Sequence, residues 1–248
     1  MAPSRHEVSA AAHQDVPHAN PLAADQMEDL VDWATRWEPT TALDIGCGPG
    51  SFSVGLASRA PVSVLAIDLN RTFLDRGRSA ARNTVLVGNV EFVERPLQSV
   101  EGDQFDVVVC IGSSGAIGNP REALHRCKTL MGPNGVLVFA ELVWKGEPDD
   151  DFLSFLGIDR RFLWPASEGI DVLEQVGLSV KYQTAASEFS WETYERAVLN
   201  GRLSLAADLP PEDGESVRRS ARTWYANFEK HGRHCFGFNA YVARHAEA

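Results

Sequence analysis

The sequence predicts an α/β protein built on a doubly wound, mostly parallel sheet. Three observations carry that expectation. Between residues 41 and 140, short β-branched runs alternate with stretches of helical periodicity, the pattern of βαβ units. Two of those runs, 105–111 and 135–140, are apolar almost throughout, as strands covered on both faces of a parallel sheet are. A glycine-rich turn, Gly46-Cys47-Gly48-Pro49-Gly50, joins the first strand to the first following helix.

The elements follow in order. Residues 1–20 are rich in Ala, Ser and His and are expected to be flexible at their start. A helix is expected over 21–38, because Pro21 suits a first helical turn. Met27, Leu30, Val31, Ala34 and Trp37 recur there at helical spacing, and Pro39 closes the segment. Strands at 41–46, 62–67, 90–93, 105–111 and 135–140 alternate with helices at 51–58, 71–82 and 121–131. The last of these helices stops at Gly132-Pro133. Beyond residue 150 the pattern loosens. Helices are expected at 151–156 and 170–176 and a strand at 178–185. Two amphipathic stretches follow, the second carrying Val217, Ala221, Trp224, Tyr225 and Phe228, and a strand at 235–243 closes the chain. About fifty residues separate the last two strands, more than a connection needs, and such insertions build lids or pockets. With no repeat and no linker, 1–248 reads as one domain. Residues 41–144 form its core, and the N-terminal helix together with the helical lid segments 145–176 and 190–231 is expected to roof the site.

Composition narrows the function. The 248 residues are 44% hydrophobic and 23% charged with a net charge of −11, a balance that disfavours binding to nucleic acid phosphates. No apolar run is long enough to span a bilayer, and the first twenty residues lack the apolar core of a signal peptide. Cys47, Cys110, Cys127 and Cys235 form no CxxC pair, which suits a reduced, cytoplasmic chain. His6, His13 and His18 are too scattered for a metal site. The oligomeric state is not readable from the sequence.

The strongest chemical signal is Leu43-Asp44-Ile45-Gly46-Cys47-Gly48-Pro49-Gly50. Glycines there let the backbone turn tightly and come close to a ligand. An ordinary glycine-rich turn has the same composition, and the context separates the two. Asp68 ends the next strand, 18 residues after Gly50, where an acid accepts hydrogen bonds from both ribose hydroxyls of an adenosine-containing ligand. A dinucleotide fold prefers GxGxxG, which lays pyrophosphate on a helix N-terminus. Here the glycines alternate, and Asp44 precedes them.

That pattern resembles motif I of class I S-adenosylmethionine-dependent methyltransferases, whose cofactor has no phosphate. The resemblance covers nearly the whole chain. Ala66-Ile67-Asp68-Leu69 resembles the ribose-binding second motif. Phe105-Asp106-Val107-Val108-Val109-Cys110-Ile111-Gly112 resembles the fourth-strand motif, and Met131-Gly132-Pro133-Asn134-Gly135-Val136-Leu137 the entry to strand five. More narrowly, Asn20-Pro21, Cys110-Ile111-Gly112-Ser113 and Glu141-Leu142-Val143-Trp144 resemble a bacterial small-molecule methyltransferase-like group. The resemblance implies a Rossmann-like sheet of seven strands with an antiparallel last strand, S-adenosyl-L-methionine as cofactor, and a small-molecule methyl acceptor. Gly46, Cys47, Gly48 and Gly50 would flank the methionine part, and Asp44 would support the loop or reach the amino group. Asp68 would hold the ribose and Leu69 lie against adenine, with Cys110, Ile111 and Gly112 completing the cofactor site. The acid normally found after strand three is replaced by Pro96, which leaves the Leu97 N–H and the Gln98 side chain to recognise adenine.

Methyl transfer needs alignment and exclusion of water; a hydroxyl or protonated amine acceptor also needs a base. Glu141 is the candidate base, expected at the C-terminal end of a central strand where α/β sites form, and a solvated or ion-paired acid is the competing reading. Trp144, Trp191 and Tyr194 are the candidate acceptor-binding residues, because aromatic faces stack flat acceptors and attract a sulfonium. Trp164, Trp224 and Tyr225 belong to the same aromatic set, most of which is expected to pack the inserted helices. Cys47 has no activating neighbour in sequence. His18 either closes over the cofactor or is an ordered surface residue. The acceptor atom (oxygen, nitrogen, carbon or sulfur) stays open. So do three rivals: a dinucleotide-dependent oxidoreductase, a sulfonium-assisted cyclase and a non-catalytic partner subunit that keeps the fold.

Overall fold

The computed structural model describes residues 2–246 apart from Glu101 and Asp103; Met1, Glu247 and Ala248, the ends of the expected 1–248 unit, lie outside the described residues. The strands are β1 (Thr41–Ile45), β2 (Ser63–Asp68), β3 (Asn89–Glu94), β4 (Phe105–Ile111), β5 (Met131–Trp144), β6 (Leu178–Ala185) and β7 (Phe236–His245). They form one seven-stranded sheet in the order β3-β2-β1-β4-β5-β7-β6. β1 to β5 pair in parallel, and β7 runs antiparallel to both β5 and β6. The chain order therefore reverses between β1 and β4, and ligands of open α/β sheets bind beyond the strand ends at such a point.

The helices of seven residues or more are α1 (Arg5–Ala12), α2 (Ala24–Thr35), α3 (Ser51–Arg59), α4 (Arg71–Arg82), α5 (Pro120–Leu130), α6 (Asp150–Leu156), α7 (Gly169–Gln175), α8 (Glu188–Asp208) and α9 (Pro211–Asn227). Alternate residues of β4 show why the central strands are apolar on both faces. Val107 and Val109 pack with Leu30 of α2, Leu56 of α3 and Leu74 of α4. Val108 and Cys110 pack with Leu124 of α5 and Leu173 of α7.

Three departures from the sequence reading matter for the site. The first is at the N-terminus, expected to be flexible, where α1 begins on a capping box. Ser4 Oγ accepts the Glu7 N–H at 3.2 Å, and Glu7 Oε2 accepts the Ser4 N–H at 2.7 Å. Asn70 Nδ2 and Arg76 Nη1 then tie this segment to α4 by donating to the carbonyls of His6 and His13, at 2.9 and 2.8 Å. The second is α2, which starts at Ala24 rather than Pro21. Asn20 Oδ1 accepts the Leu22 N–H at 2.9 Å and holds residues 20–22 in a turn, while the Gln26 side chain caps the Ala23 N–H at 3.0 Å. The third is β5, which runs well past residue 140, because pairing with β7 carries it on to Trp144 opposite Phe236.

Candidate active site

A cavity of about 580 Å³ opens over the C-terminal ends of β1, β2 and β4, well inside the range of small-molecule sites. Its floor is the β1–α3 turn. Gly46 and Gly48 take φ of +62° and +54° there, conformations that a side chain disfavours. A Cβ on Gly46 would lie 2.5 Å from Ser113 Cβ, so the turn can pass close under the β4–α5 loop only as glycine. Gly50, at φ +75°, caps α3 and lies against Phe92, where a Cβ would meet the ring at 2.4 Å. Its role is to pack the turn onto β3, and it is not on the cavity wall.

Asp68 joins the turn to the neighbouring strand. Its Oδ2 accepts the Gly48 N–H at 2.9 Å and its Oδ1 accepts the Asn70 N–H at 2.7 Å. Each oxygen keeps lone-pair capacity toward the cavity for a hydroxyl donor. Asp44, only 4% exposed, accepts from Ser53 Oγ at 2.6 Å. Burial pushes its carboxyl up to about 7, with the Asp68 charge adding to the rise and the Ser53 bond opposing it. Asp44 thus supports the turn from below while still lining the cavity. Cys47 lines it too, its N–H donating to the Ile67 carbonyl at 3.0 Å. Burial and the two aspartates push its thiol far up, which leaves it unreactive.

The other expected cofactor residues divide clearly. Leu69, Leu97, Gln98, Ile111 and Gly112 line the cavity, and so do Arg95 and Pro96. Gln98 Nε2 leans toward the Ala116 carbonyl at 3.5 Å, across the mouth. Cys110 does not reach the wall: it is wholly buried and its Sγ faces Ser113 Oγ at 3.3 Å, which in turn donates to the Ile45 carbonyl at 2.5 Å. It supports the loop from behind.

Glu141 is also displaced from its expected position. Because β7 extends the pairing, Glu141 lies within β5 opposite Asn239 instead of at a strand end. It is 5% exposed, Oε1 accepts the Leu142 N–H at 2.8 Å, and it is not on the cavity wall. Burial raises its pKa against the lowering pull of the Ser114 hydroxyl and the Leu142 N–H. Its carboxyl faces Ser114 of the β4–α5 loop.

Of the three candidate aromatics, Tyr194 alone lines the cavity. Trp144 stacks on Phe236 at 5.4 Å and donates from Nε1 to the Arg160 carbonyl at 2.7 Å. Trp191 stacks between Phe228 and Phe236, and its Nε1 faces Glu195 Oε1 at 3.4 Å. Both pack the inserted helices onto the sheet. No residue of 145–176 lines the cavity, and of 190–231 only Tyr194 does. Segment 145–176 instead packs against the sheet, with Trp164, Val172 and Leu173 in the core layer of α5.

The roof is α1. Arg5, His6, Ser9, His13, Ala19 and Asn20 line the cavity, and Gly201 of α8 lets α1 approach so closely that a Cβ there would fall 2.1 Å from the Ala11 carbonyl oxygen. An N-terminal helix was expected over the site, but at 21–38; the helix that roofs it lies within the segment read as flexible, and the Ser4-x-x-Glu7 capping box was the available signal. His18 lies beside it with Nδ1 2.9 Å from Ser51 Oγ. Among the described residues, no group of three His, Cys, Asp or Glu side chains is arranged to hold a metal, and no helix is long and apolar enough to cross a membrane.

An alternating-glycine turn bonded to a strand-end acid, on a sheet ordered 3-2-1-4-5-7-6 with an antiparallel seventh strand, defines the class I, Rossmann-like fold of S-adenosylmethionine-dependent methyltransferases. Comparison with known proteins agrees. Residues 43–137 match the family model described as a methyltransferase domain. The chain is 24% identical over 165 residues, 59% of its length and 69% of the relative's, to a ubiquinone biosynthesis O-methyltransferase of Coxiella burnetii. Two solved structures share the fold across almost the whole chain. A SAM-dependent methyltransferase from Thiobacillus denitrificans, in complex with S-adenosyl-L-homocysteine, superposes with a TM-score of 0.85 at 20% identity, covering 99% of this chain and 100% of that one. One from Geobacter sulfurreducens, also with S-adenosyl-L-homocysteine, does so with a TM-score of 0.85 at 19% identity, covering 96% and 97%. The class resemblance noted in the sequence therefore holds for the fold and for the matched segment.

Proposed function

We propose that the chain is an S-adenosyl-L-methionine-dependent methyltransferase, of one domain, acting on a hydroxyl of a small-molecule acceptor. The observation that carries this reading is the 2.9 Å bond from the Gly48 N–H to Asp68 Oδ2 on the wall of the cavity. It brings the turn that would cradle the methionine part and the acid that would hold the ribose into one surface. Asp68 accepts the ribose hydroxyls, Gly46 and Gly48 offer a wall without side chains, and Leu69 and Leu97 flank the adenine. Asp44 faces the amino group. With Pro96 in place of an acid, the Leu97 N–H and Gln98 recognise the adenine edge. The bound cofactor supplies a methyl group already activated on a sulfonium. The chain's own part is to align the acceptor with it and to exclude water, which α1 does from above.

A small hydroxylated acceptor is favoured by three points. The cavity is roofed by the chain's own N-terminal helix, the net charge of −11 disfavours a polyanionic substrate, and the curated relative is an O-methyltransferase. The test is conversion of radiolabelled S-adenosylmethionine to S-adenosylhomocysteine with a panel of phenols, alcohols, amines and thiols. Methylated product from hydroxyl compounds supports the reading. A chain that binds S-adenosylhomocysteine yet transfers only to amines or thiols refutes the acceptor class, and one that binds NAD instead refutes the cofactor.

A further inference from the structure

Two lining side chains have no part in that reading. His13, just beyond α1, and Tyr194, on α8, meet across the cavity roof with Nε2 2.8 Å from Oη. The other ring nitrogen, Nδ1, lies 2.8 Å from the Ser9 carbonyl oxygen. A carbonyl only accepts, so Nδ1 carries the proton; Nε2 of the neutral ring is then an acceptor, and the Tyr194 hydroxyl donates to it. The imidazole is fixed in place. Phe73 meets it edge-on at 5.9 Å, and Arg76 Nη1 donates to the His13 carbonyl at 2.8 Å. Among the described residues no other hydrogen bond reaches Tyr194 Oη, so its lone pairs are open to a donor in the cavity.

We propose that Tyr194 and His13 are the proton-accepting pair for the acceptor hydroxyl, a role the sequence reading gave to Glu141. The proposal rests on the methyl-transfer reading above. As the acceptor oxygen bonds to the methyl carbon, its proton passes to Tyr194 Oη, and the Tyr194 proton passes to His13 Nε2. The S–CH3 electron pair stays on sulfur, leaving a neutral thioether. One positive charge, on the sulfonium, is replaced by one positive charge, on the His13 imidazolium, so the cleft keeps the same total charge.

The local electrostatics agree. Burial lowers the His13 pKa, with the charges of Arg202 on α8 and Arg76 on α4 adding to the effect against the Ser9 carbonyl, so the ring is neutral and able to accept. Burial and the neighbouring Glu195 raise the Tyr194 phenol far above its ordinary value, against Arg202. Tyr194 therefore stays protonated and serves as a relay, not as a free phenolate. Arg5 and His6 on α1 are the other basic groups lining this side.

The test has an acceptor-free arm and a turnover arm. In long-range 1H–15N NMR of the full chain at neutral pH, His13 is expected as the Nδ1-protonated tautomer, with its Nε2 signal moved by Tyr194→Phe. An Nε2-protonated ring overturns the proposal whatever the acceptor. In the second arm, S-adenosylhomocysteine titrations, thermal melts and turnover of catechol, 3,4-dihydroxybenzoate and a dithiothreitol control are compared for wild type, Tyr194→Phe and His13→Gln. The expected result is affinity within about threefold of wild type and unchanged melting. kcat on the hydroxyl acceptors falls about 100-fold or more at little-changed KM. The acid limb of the wild-type kcat profile, set below the ordinary histidine pKa, disappears in His13→Gln. Variants that keep wild-type kcat and pH profile overturn the pair, as does a wild-type chain that methylates dithiothreitol alone. A wild-type chain that binds no S-adenosylhomocysteine fails at the underlying reading, and the titration separates that failure from the others.

Discussion

Asp44 shows how a single buried group records the state of the cleft. Its folded pKa is raised to about 7, whereas the same acid ionises near pH 4 in an unfolded chain. Between those values the folded chain holds a proton that the unfolded chain has lost, so this residue's contribution to stability falls as pH rises from about 4 to 7 and is level above. Asp44→Asn removes that slope and keeps an acceptor for Ser53 Oγ. The melting temperature of the variant relative to wild type is expected to climb across that window in circular-dichroism melts and then stay constant; a difference that does not change with pH contradicts the assignment. Gly50 makes a second residue-scale prediction. With φ at +75° and Phe92 in the path of a Cβ, Gly50→Ala is expected to destabilise the chain by about 1–3 kcal/mol in urea titration. Asp44, Gly46, Gly48 and Asp68 were legible in the sequence because the turn chemistry is local and the residues lie at fixed offsets from strand ends. Trp144 and Trp191 were not, because an indole that stacks on Phe236 has the same sequence signature as one that faces a ligand.

At the scale of elements, boundaries from residue 41 to 130 follow from local rules, since short β-branched runs alternate there with stretches of helical periodicity. The errors cluster where a partner distant in sequence decides. β5 is extended by β7, which moves Glu141 from a strand end into the sheet. α1 is held by α4 and α8, which no periodicity within 1–20 announces. That dependence gives a prediction. Gly201→Ala places a methyl against the Ala11 carbonyl and pushes α1 off its seat. Alanine also favours helix α8, so the loss should appear in binding more than in folding. S-adenosylhomocysteine affinity is expected to weaken about tenfold, or 1.4 kcal/mol, with melting little changed; calorimetry with both proteins decides it. Equal affinity would mean that α1 does not close the site.

For the whole molecule, a central parallel sheet between two apolar layers, roofed by a short helix with only two buried residues, Ala10 and Ala12, predicts a graded stability. Amide exchange is expected to be slowest in β1, β4 and β5 and fast in α1, with S-adenosylhomocysteine slowing α1 and the β1–α3 turn most. Uniform slowing across the sheet without an effect on α1 contradicts the roof assignment. The central claim is that the glycine turn and the acid closing β2 together form the seat of an adenosyl sulfonium. Calorimetric titration of S-adenosylhomocysteine into wild type and Asp68→Ala tests it most directly. One-to-one binding by wild type, weakened at least about tenfold in the variant while the unfolding temperature holds, is the result this structure predicts. Equal affinity in the two proteins, or displacement of the ligand by NAD, contradicts it.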